Sequence, residues 1–229
     1  MSDSLIAQCL GPDFLWSQLF GRATQFLGRA ALFLDRDGVV VKEVNYLHRR
    51  QDVRLIDGVA EVIRRANQSG IPVIVTTNQA GIGRSYYAWE HFCEVQEQMI
   101  ADLGEHDAKI DAVYACAHHI DARPPYQHDD HPARKPNPGM IFMARDTLGV
   151  ALEKSWIVGD RAIDIRAGRN AGLAGGTHVR TGHGGRANER ETALALATKE
   201  FRVTAADSIA DLLTDATLFN GLLATDQAK

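Results

Sequence analysis

Short apolar runs alternate with longer amphipathic stretches through the middle of the chain, and this alternation narrows the fold to βα units wound around a mainly parallel sheet. The apolar runs are Ala31–Leu34, Ile71–Thr76, Ala112–Ala115, Trp156–Val158, His178–Arg180 and Phe201–Thr204. Helical periodicity falls between them, over Val59–Gln68, Ala88–Leu103, Met140–Leu148 and Ala162–Asn170. Gly58, Gly70, Gly139, Gly149 and Gly172 sit where those helices should begin or end. The expected class is α/β with a doubly wound sheet. Such sheets bind ligands beyond the carboxyl ends of their strands, where loops and helix N-termini offer unpaired N–H groups. Functional residues are therefore sought directly after each apolar run.

With 229 residues, 45% of them hydrophobic and 24% charged, the chain holds too much apolar material for a disordered segment and suits one domain. The pattern divides it into an N-terminal extension, 1–28, a body, 29–214, and a C-terminal tail, 215–229. Against 29 acidic residues stand 25 Lys and Arg, a net charge of −4, which leaves no cationic excess for a nucleic acid backbone. Cys9, Cys93 and Cys116 are too few and too dispersed for a disulfide framework and suit a reducing compartment. No window approaches the roughly 20 apolar residues of a membrane span, and the N-terminus has no basic leader before an apolar stretch. A cytoplasmic protein without membrane or nucleic acid partners is expected, as a monomer or small homo-oligomer. Phe14, Leu15, Trp16, Leu19, Phe20, Phe26 and Leu27 of the extension read either as a helix packed on the body or as an oligomer contact. Residues 172–185 hold six glycines and read as a mobile loop around a short strand.

The first apolar run leads into Asp35-Arg36-Asp37-Gly38. In extended geometry, residues two apart point the same way at roughly 6–7 Å, so both carboxylates can face one site. The second run leads into Thr77-Asn78-Gln79, the Arg134-Lys135-Pro136 segment opens the helix after the third, and the fourth leads into Gly159-Asp160 with Asp164 beyond. Each segment taken alone also reads as a turn, a helix cap or a solvated basic patch. Together they bring carboxylates, a hydroxyl and an ammonium to one sheet edge. Clustered aspartates repel one another unless a cation joins them, and an oxygen-rich site of this kind suits Mg²⁺. Phosphoryl chemistry follows from that charge pattern.

The set Asp35-x-Asp37-Gly38, Thr77-Asn78, Lys135 and Gly159-Asp160-x-x-x-Asp164 resembles the four motifs of the haloacid dehalogenase superfamily of phosphohydrolases. The longer strings Phe33–Gly38, Thr77–Ile82, Arg134–Gly139 and Val158–Asp160 resemble the branch that contains heptose bisphosphate phosphatases and histidinol-phosphatases; the resemblance covers about 31–182. It implies a phosphatase in which Asp35 is the nucleophile and forms an aspartyl phosphate. Asp37 would be general acid and then base, its carbonyl also touching the metal. Thr77 and Lys135 would hold phosphoryl oxygens, and Asp35 with Asp160 would bind Mg²⁺. Asp164 would orient Lys135 or a metal-bound water. Asn78, Gln79, Arg134 and Arg161 are the implied substrate contacts.

From Asp35 to Thr77 is 42 residues, and a helix and strand use nearly half of them, so no large cap domain fits. The 58 residues from Thr77 to Lys135 hold no obvious inserted domain either. The site should be open, with Glu43, Asn45 and Tyr46 on its rim and a small phosphorylated metabolite as substrate. A sugar bisphosphate of the heptose type is favoured, beside histidinol phosphate or another sugar or polyol phosphate. A phosphotransferase or mutase would need water kept out, which an open site opposes. A non-catalytic phosphate-binding module is the rival from another class, and the retention of both Asp35 and Asp37 speaks against it. In the resembling heptose phosphatases a loop before the Arg-Lys pair carries structural zinc. Here Cys116 and His118 match half of that set, while His131 and Ala133 replace two cysteines. Either Zn²⁺ is held by Cys116, His118 and His131 with His128, His119 or a carboxylate, or the loop has dropped the metal and His119 or Tyr126 faces substrate.

Overall fold

The computed structural model describes residues 2–21 and 26–214. The expected C-terminal tail, 215–229, lies outside them. In chain order the elements are α1 (Ser2–Cys9), β1 (Leu15–Leu19), β2 (Leu32–Leu34), α2 (Val59–Gln68), β3 (Val73–Asn78), α3 (Ala80–Gly83), α4 (Trp89–Gly104) and β4 (Ala112–Cys116). They continue with α5 (Gly139–Leu148), β5 (Trp156–Gly159), α6 (Ala162–Ala171), β6 (Gly175–Val179), α7 (Glu189–Leu194) and β7 (Arg202–Ala206).

These strands form one seven-stranded sheet in the order β1-β4-β3-β2-β5-β6-β7. All pairings are parallel except β1 with β4. The chain lays β3 and β4 on one side of β2, then returns to lay β5, β6 and β7 on the other. The strand order thus reverses beside β2, and the crevice at that reversal is where Asp35 emerges.

Alternate strand residues feed two cores, one on each face, because successive side chains point to opposite sides of the pleat. Leu32, Leu34, Val73 and Val75 join Val62 and Ile63 of α2 and Phe92 and Met99 of α4. Phe33, Ile74 and Ile157 join Met140, Ile141 and Ala144 of α5 and Ile165 of α6. Strands β2, β4, β5 and β6 are buried along their whole length, which is why β2, β4 and β5 read as short apolar runs. No described helix is long and apolar enough to cross a membrane. Neither interval between the motifs holds an inserted domain: 38–57 is a loop with one 3₁₀ turn, Arg50–Asp52, and 117–138 carries no helix or strand.

Two readings need correction. The apolar stretch of the extension is no helix at 15–19: it is the strand β1, with Leu15 opposite Cys116 and Leu19 opposite Ala112. Gly11-Pro12 stops α1, and the free edge of β4 then offers backbone partners that a helix could not use. Trp16 faces one core, stacked on Trp89 at 5.4 Å and edge-on to Phe92 at 5.3 Å, while Leu15 belongs to the other. The strand expected at His178–Arg180 begins earlier, at Gly175. Glycine hides it from a hydrophobicity pattern, yet a Cβ at Gly175 would lie 2.3 Å from the Trp156 ring. The glycine-rich stretch is therefore partly a core strand.

Trp16 has no exposed surface and Leu27 is 81% exposed. Trp16→Ala should cost about 3–5 kcal/mol in chemical unfolding, and Leu27→Ala within about 0.5 kcal/mol. Equal effects would show that the extension does not share the core.

Candidate active site

Asp35 follows β2 directly, its N–H bonded to Val158 of the neighbouring β5 at 3.0 Å. Asp160 follows β5, and Thr77 and Asn78 are the last residues of β3. Lys135 comes in from the loop before α5. Its Nζ lies 2.6 Å from Asp35 Oδ1, 2.7 Å from Asp164 Oδ1 and 2.8 Å from the Thr76 carbonyl. All four charged groups are buried. Burial alone would drive the lysine towards neutrality, but Asp164 and Asp35 outweigh it and raise its pKa above the ordinary value.

The carboxylates feel the opposite pressure. Burial pushes Asp35 up to about 7, with Asp164 and Asp37 adding to it and Lys135 opposing. Burial pushes Asp160 up to about 9, helped by the charges of Asp35 and Asp164. Asp160 Oδ2 accepts the His183 N–H at 2.6 Å, while its Oδ1 is buried and has no hydrogen-bond partner. The backbone of Gly38 approaches so closely that a Cβ there would fall 2.4 Å from Asp160 Oδ2. One oxygen each from Asp35, Asp160 and Asp164 lies within 4.8 Å of the others, the only such group among the described residues. Asp164 is already engaged by Lys135 and by the Arg161 N–H at 3.0 Å. Asp35 and the orphaned oxygen of Asp160 remain as hard donors suited to a divalent cation.

Asp37 sits in a separate buried network that the sequence did not suggest. Arg36 Nη2 donates to Asp37 Oδ1 at 3.0 Å and Nε to Oδ2 at 3.1 Å, and Gln79 Nε2 donates to Oδ2 at 3.1 Å. The guanidinium also reaches Gln96 and Gln79 at 3.3 Å and lies over the Phe92 ring. Tyr87 hydroxyl donates to Gln79 Oε1 at 2.6 Å. Thr77 Oγ1 accepts from Gln79 Nε2 at 2.8 Å and lies 3.5 Å from Asp37 Oδ2.

The expected substrate contacts Glu43, Asn45, Tyr46, Asn78, Gln79, Arg134 and Arg161 all line one cleft of about 320 Å³ with the acids and Lys135. Two of them are otherwise occupied. Asn78 Nδ2 donates to the Lys135 carbonyl at 3.0 Å and Oδ1 accepts the Lys135 N–H at 3.1 Å, a reciprocal clamp on the backbone. Gln79 is buried with both ends bonded inside the Asp37 network. Arg84, not singled out from sequence, joins the rim: Nη1 donates to Tyr46 Oη at 2.7 Å and Nη2 pairs with exposed Asp121 at 3.2 Å. Arg134 has no carboxylate partner among the described residues; burial lowers its pKa, and Arg84 and Arg161 lower it further. Asn45 and Tyr46 hold the rim with positive φ of 55° and 68°.

The expected zinc ligands do not assemble. His118 has Nδ1 3.2 Å from the Tyr126 carbonyl and Nε2 3.1 Å from the Asp13 carbonyl, so both ring nitrogens face backbone oxygen. Its ring stacks flat on His131 at 3.9 Å. His131 Nδ1 accepts the Ala133 N–H at 3.1 Å and is 3.9 Å from Cys116 Sγ. Burial pushes the Cys116 thiol up to about 11.

A family model described as haloacid dehalogenase-like hydrolase matches residues 11–172. A D-glycero-beta-D-manno-heptose-1,7-bisphosphate 7-phosphatase from Mesorhizobium japonicum is 43% identical over 146 residues, 64% of this chain and 67% of the relative. One of the same name from Haemophilus influenzae is 36% identical, over 66% of this chain and 82% of the relative. Among solved structures, a HAD-like phosphatase from Mesorhizobium loti superposes with a TM-score of 0.79 at 34% identity, covering 92% of this chain and 93% of that one. The D,D-heptose 1,7-bisphosphate phosphatase from B. bronchiseptica, complexed with magnesium and phosphate, gives 0.66 at 28% identity, covering 82% and 99%. By these matches and by the motif geometry, the chain belongs to the haloacid dehalogenase-like hydrolases.

Proposed function

We propose that the chain removes one phosphate from a small sugar bisphosphate, of the heptose 1,7-bisphosphate class, through an aspartyl phosphate on Asp35. The floor of the cleft carries this reading: Asp35 lies 2.6 Å from a buried lysine and beside an Asp160 oxygen that lacks a partner. Asp35 and Asp160 would hold Mg²⁺, which supplies the positive charge that keeps both carboxylates ionised and offsets that of the phosphoryl group.

Asp35 attacks phosphorus in line, forming the acyl phosphate as the bond to the sugar oxygen breaks. Asp37, held by Arg36 and Gln79, gives its proton to that departing alkoxide. It then takes a proton from the water that cleaves the acyl phosphate and releases inorganic phosphate. Lys135 and the Thr77 hydroxyl bind phosphoryl oxygens, and Asn78 and Asp164 act as positioning residues by fixing Lys135 from its backbone and its ammonium. At the mouth, burial and the neighbouring Arg84 and Arg161 lower the pKa of Arg134, which has no carboxylate partner among the described residues, and this cluster of guanidinium groups suits a second phosphate. The same cations would repel the ammonium of histidinol phosphate and so disfavour that substrate. The relatives named for heptose bisphosphate support the same choice.

Asp35→Asn should lower Mg²⁺-dependent phosphate release by at least about 10³-fold with an unchanged fold by circular dichroism; near wild-type turnover would remove Asp35 as nucleophile. Arg36→Met should lower kcat/KM, which reports the step up to leaving-group departure, by about 10²-fold on an alkyl phosphate and much less on p-nitrophenyl phosphate, whose leaving group needs no proton. Equal losses on the two would mean that Arg36 does not act through Asp37.

The raised carboxyl pKa values also set a stability profile. In chelator, folded Asp35 and Asp160 keep protons up to about 7 and about 9, whereas the unfolded chain releases them near about 3.9. Their contribution is complete below about pH 4 and is lost as the pH rises through those two values. Above about pH 7, where histidines are neutral in both states, thermal melts up to about pH 9 should therefore decline in chelator, by up to about 1.4 kcal/mol per pH unit for each proton, and saturating Mg²⁺ should flatten the decline. A midpoint that rises with pH in chelator would contradict the assignment.

A further inference from the structure

We infer that the N-terminal segment is part of the substrate mouth: Asp13 and Phe14 hold, through His118 and Tyr126, the loop that fixes Arg134. The starting point is strand register. β1 runs antiparallel to β4 with Leu15 opposite Cys116, so the residues before Leu15 must pass alongside those after Cys116. That is the start of the loop 117–133, whose only ladder contact among the described residues is the isolated bridge His119–Gln127.

The contacts follow from that register. The Asp13 carbonyl lies 3.1 Å from His118 Nε2, and the Phe14 ring meets Tyr126 edge-on at 5.7 Å. Tyr126 hydroxyl accepts Trp89 Nε1 at 2.8 Å, and Trp89 stacks on Trp16 of β1, so the segment grips the loop at two points. His118 in turn offers its own carbonyl to Arg134 Nη1 at 3.0 Å. The next residue, His119, lies 3.1 Å from Arg84 Nη2 through its Nε2. Phe14 has a φ of 58°, a left-handed conformation that a bulky residue adopts only where its surroundings hold it.

Asp13, Phe14 and His118 are thus positioning residues that act on the mouth without touching the reacting atoms. The inference rests on the proposed role of Arg134 in binding the second phosphate. The full-length protein, Phe14→Ala and His118→Phe are compared by amide hydrogen exchange, without substrate, over residues 117–133. The three are also compared kinetically on D-glycero-D-manno-heptose 1,7-bisphosphate and on p-nitrophenyl phosphate, which has no second phosphate. His118→Phe keeps a ring for stacking on His131 and loses both polar contacts.

Both variants should speed exchange in the loop and raise KM for the bisphosphate about tenfold, a typical effect of loosening one charged contact, with kcat and p-nitrophenyl phosphate turnover within about twofold of wild type. Unchanged exchange, an unchanged bisphosphate KM, or an equal loss on both substrates overturns the inference. Should the wild type hydrolyse neither compound, the proposed function fails, and exchange alone decides whether the segment braces the loop.

Discussion

A buried lysine held between two buried aspartates is the interaction on which the rest of the site depends. Lys135 between Asp35 and Asp164 leaves one negative charge in excess, and Asp160 beside them adds to it. Removing such charges from water is costly, and a pair of this kind persists only when its geometry is good and its remaining lone pairs are satisfied. The fold supplies the geometry, and it leaves lone pairs of Asp35 and Asp160 for a cation to satisfy. The reversal of strand order beside β2 brings the ends of β2, β3 and β5 together, and the clamp of Asn78 on the Lys135 backbone fixes the one group that comes from a loop. The excess negative charge leaves the floor ready for a cation, and the cation is what an anionic substrate then meets.

Around that floor the polar groups fall into two separate systems. Asp35, Lys135, Asp160 and Asp164 form one. Arg36, Asp37, Gln79, Gln96 and Tyr87 form the other, so that the carboxylate proposed for proton transfer is oriented by neighbours that do not also hold Asp35. The separation lets two aspartates only two residues apart serve different purposes. Environment divides their roles, as it does wherever paired carboxylates work as nucleophile and acid.

How much of this was legible in the sequence depends on the range of the signal. Asp35, Thr77 and Asp160 each stand at the end of an apolar run, so periodicity alone directs attention to them, and Lys135 is marked by its short proline-stiffened segment. The sheet class was legible for the same reason. Arg36 was not, because an arginine between two acids reads as a solvated charge until α4 is known to cover it. Arg84 was missed because nothing local ties it to Tyr46 or Arg134. The stretch of β1 reads from sequence as a helix or an oligomer contact because five residues carry little periodicity and its partner β4 lies about a hundred residues away. Asn78 and Gln79, expected as substrate contacts, line the cleft, but their amide bonds go to protein groups that only the tertiary fold brings near. The histidine-rich loop misled for a related reason: composition counts ligands, whereas coordination needs their lone pairs to converge, and the nitrogens of His118 face carbonyl oxygens.

The antiparallel strand β1 has one more consequence. β4, Ala-Val-Tyr-Ala-Cys, is buried on every residue, and without β1 its outer rim would be a bare apolar strand edge, the kind of template on which other chains add strands and aggregate. β1 ends the sheet instead with half-buried Ser17 and Gln18 and exposed Leu19. The far edge, β7, is likewise only partly buried. The N-terminal segment therefore covers an edge of the sheet, and a proteolytic cut between β1 and β2 that released the strand would leave Asp35, Lys135 and Asp160 in place while baring the β4 edge to other strands.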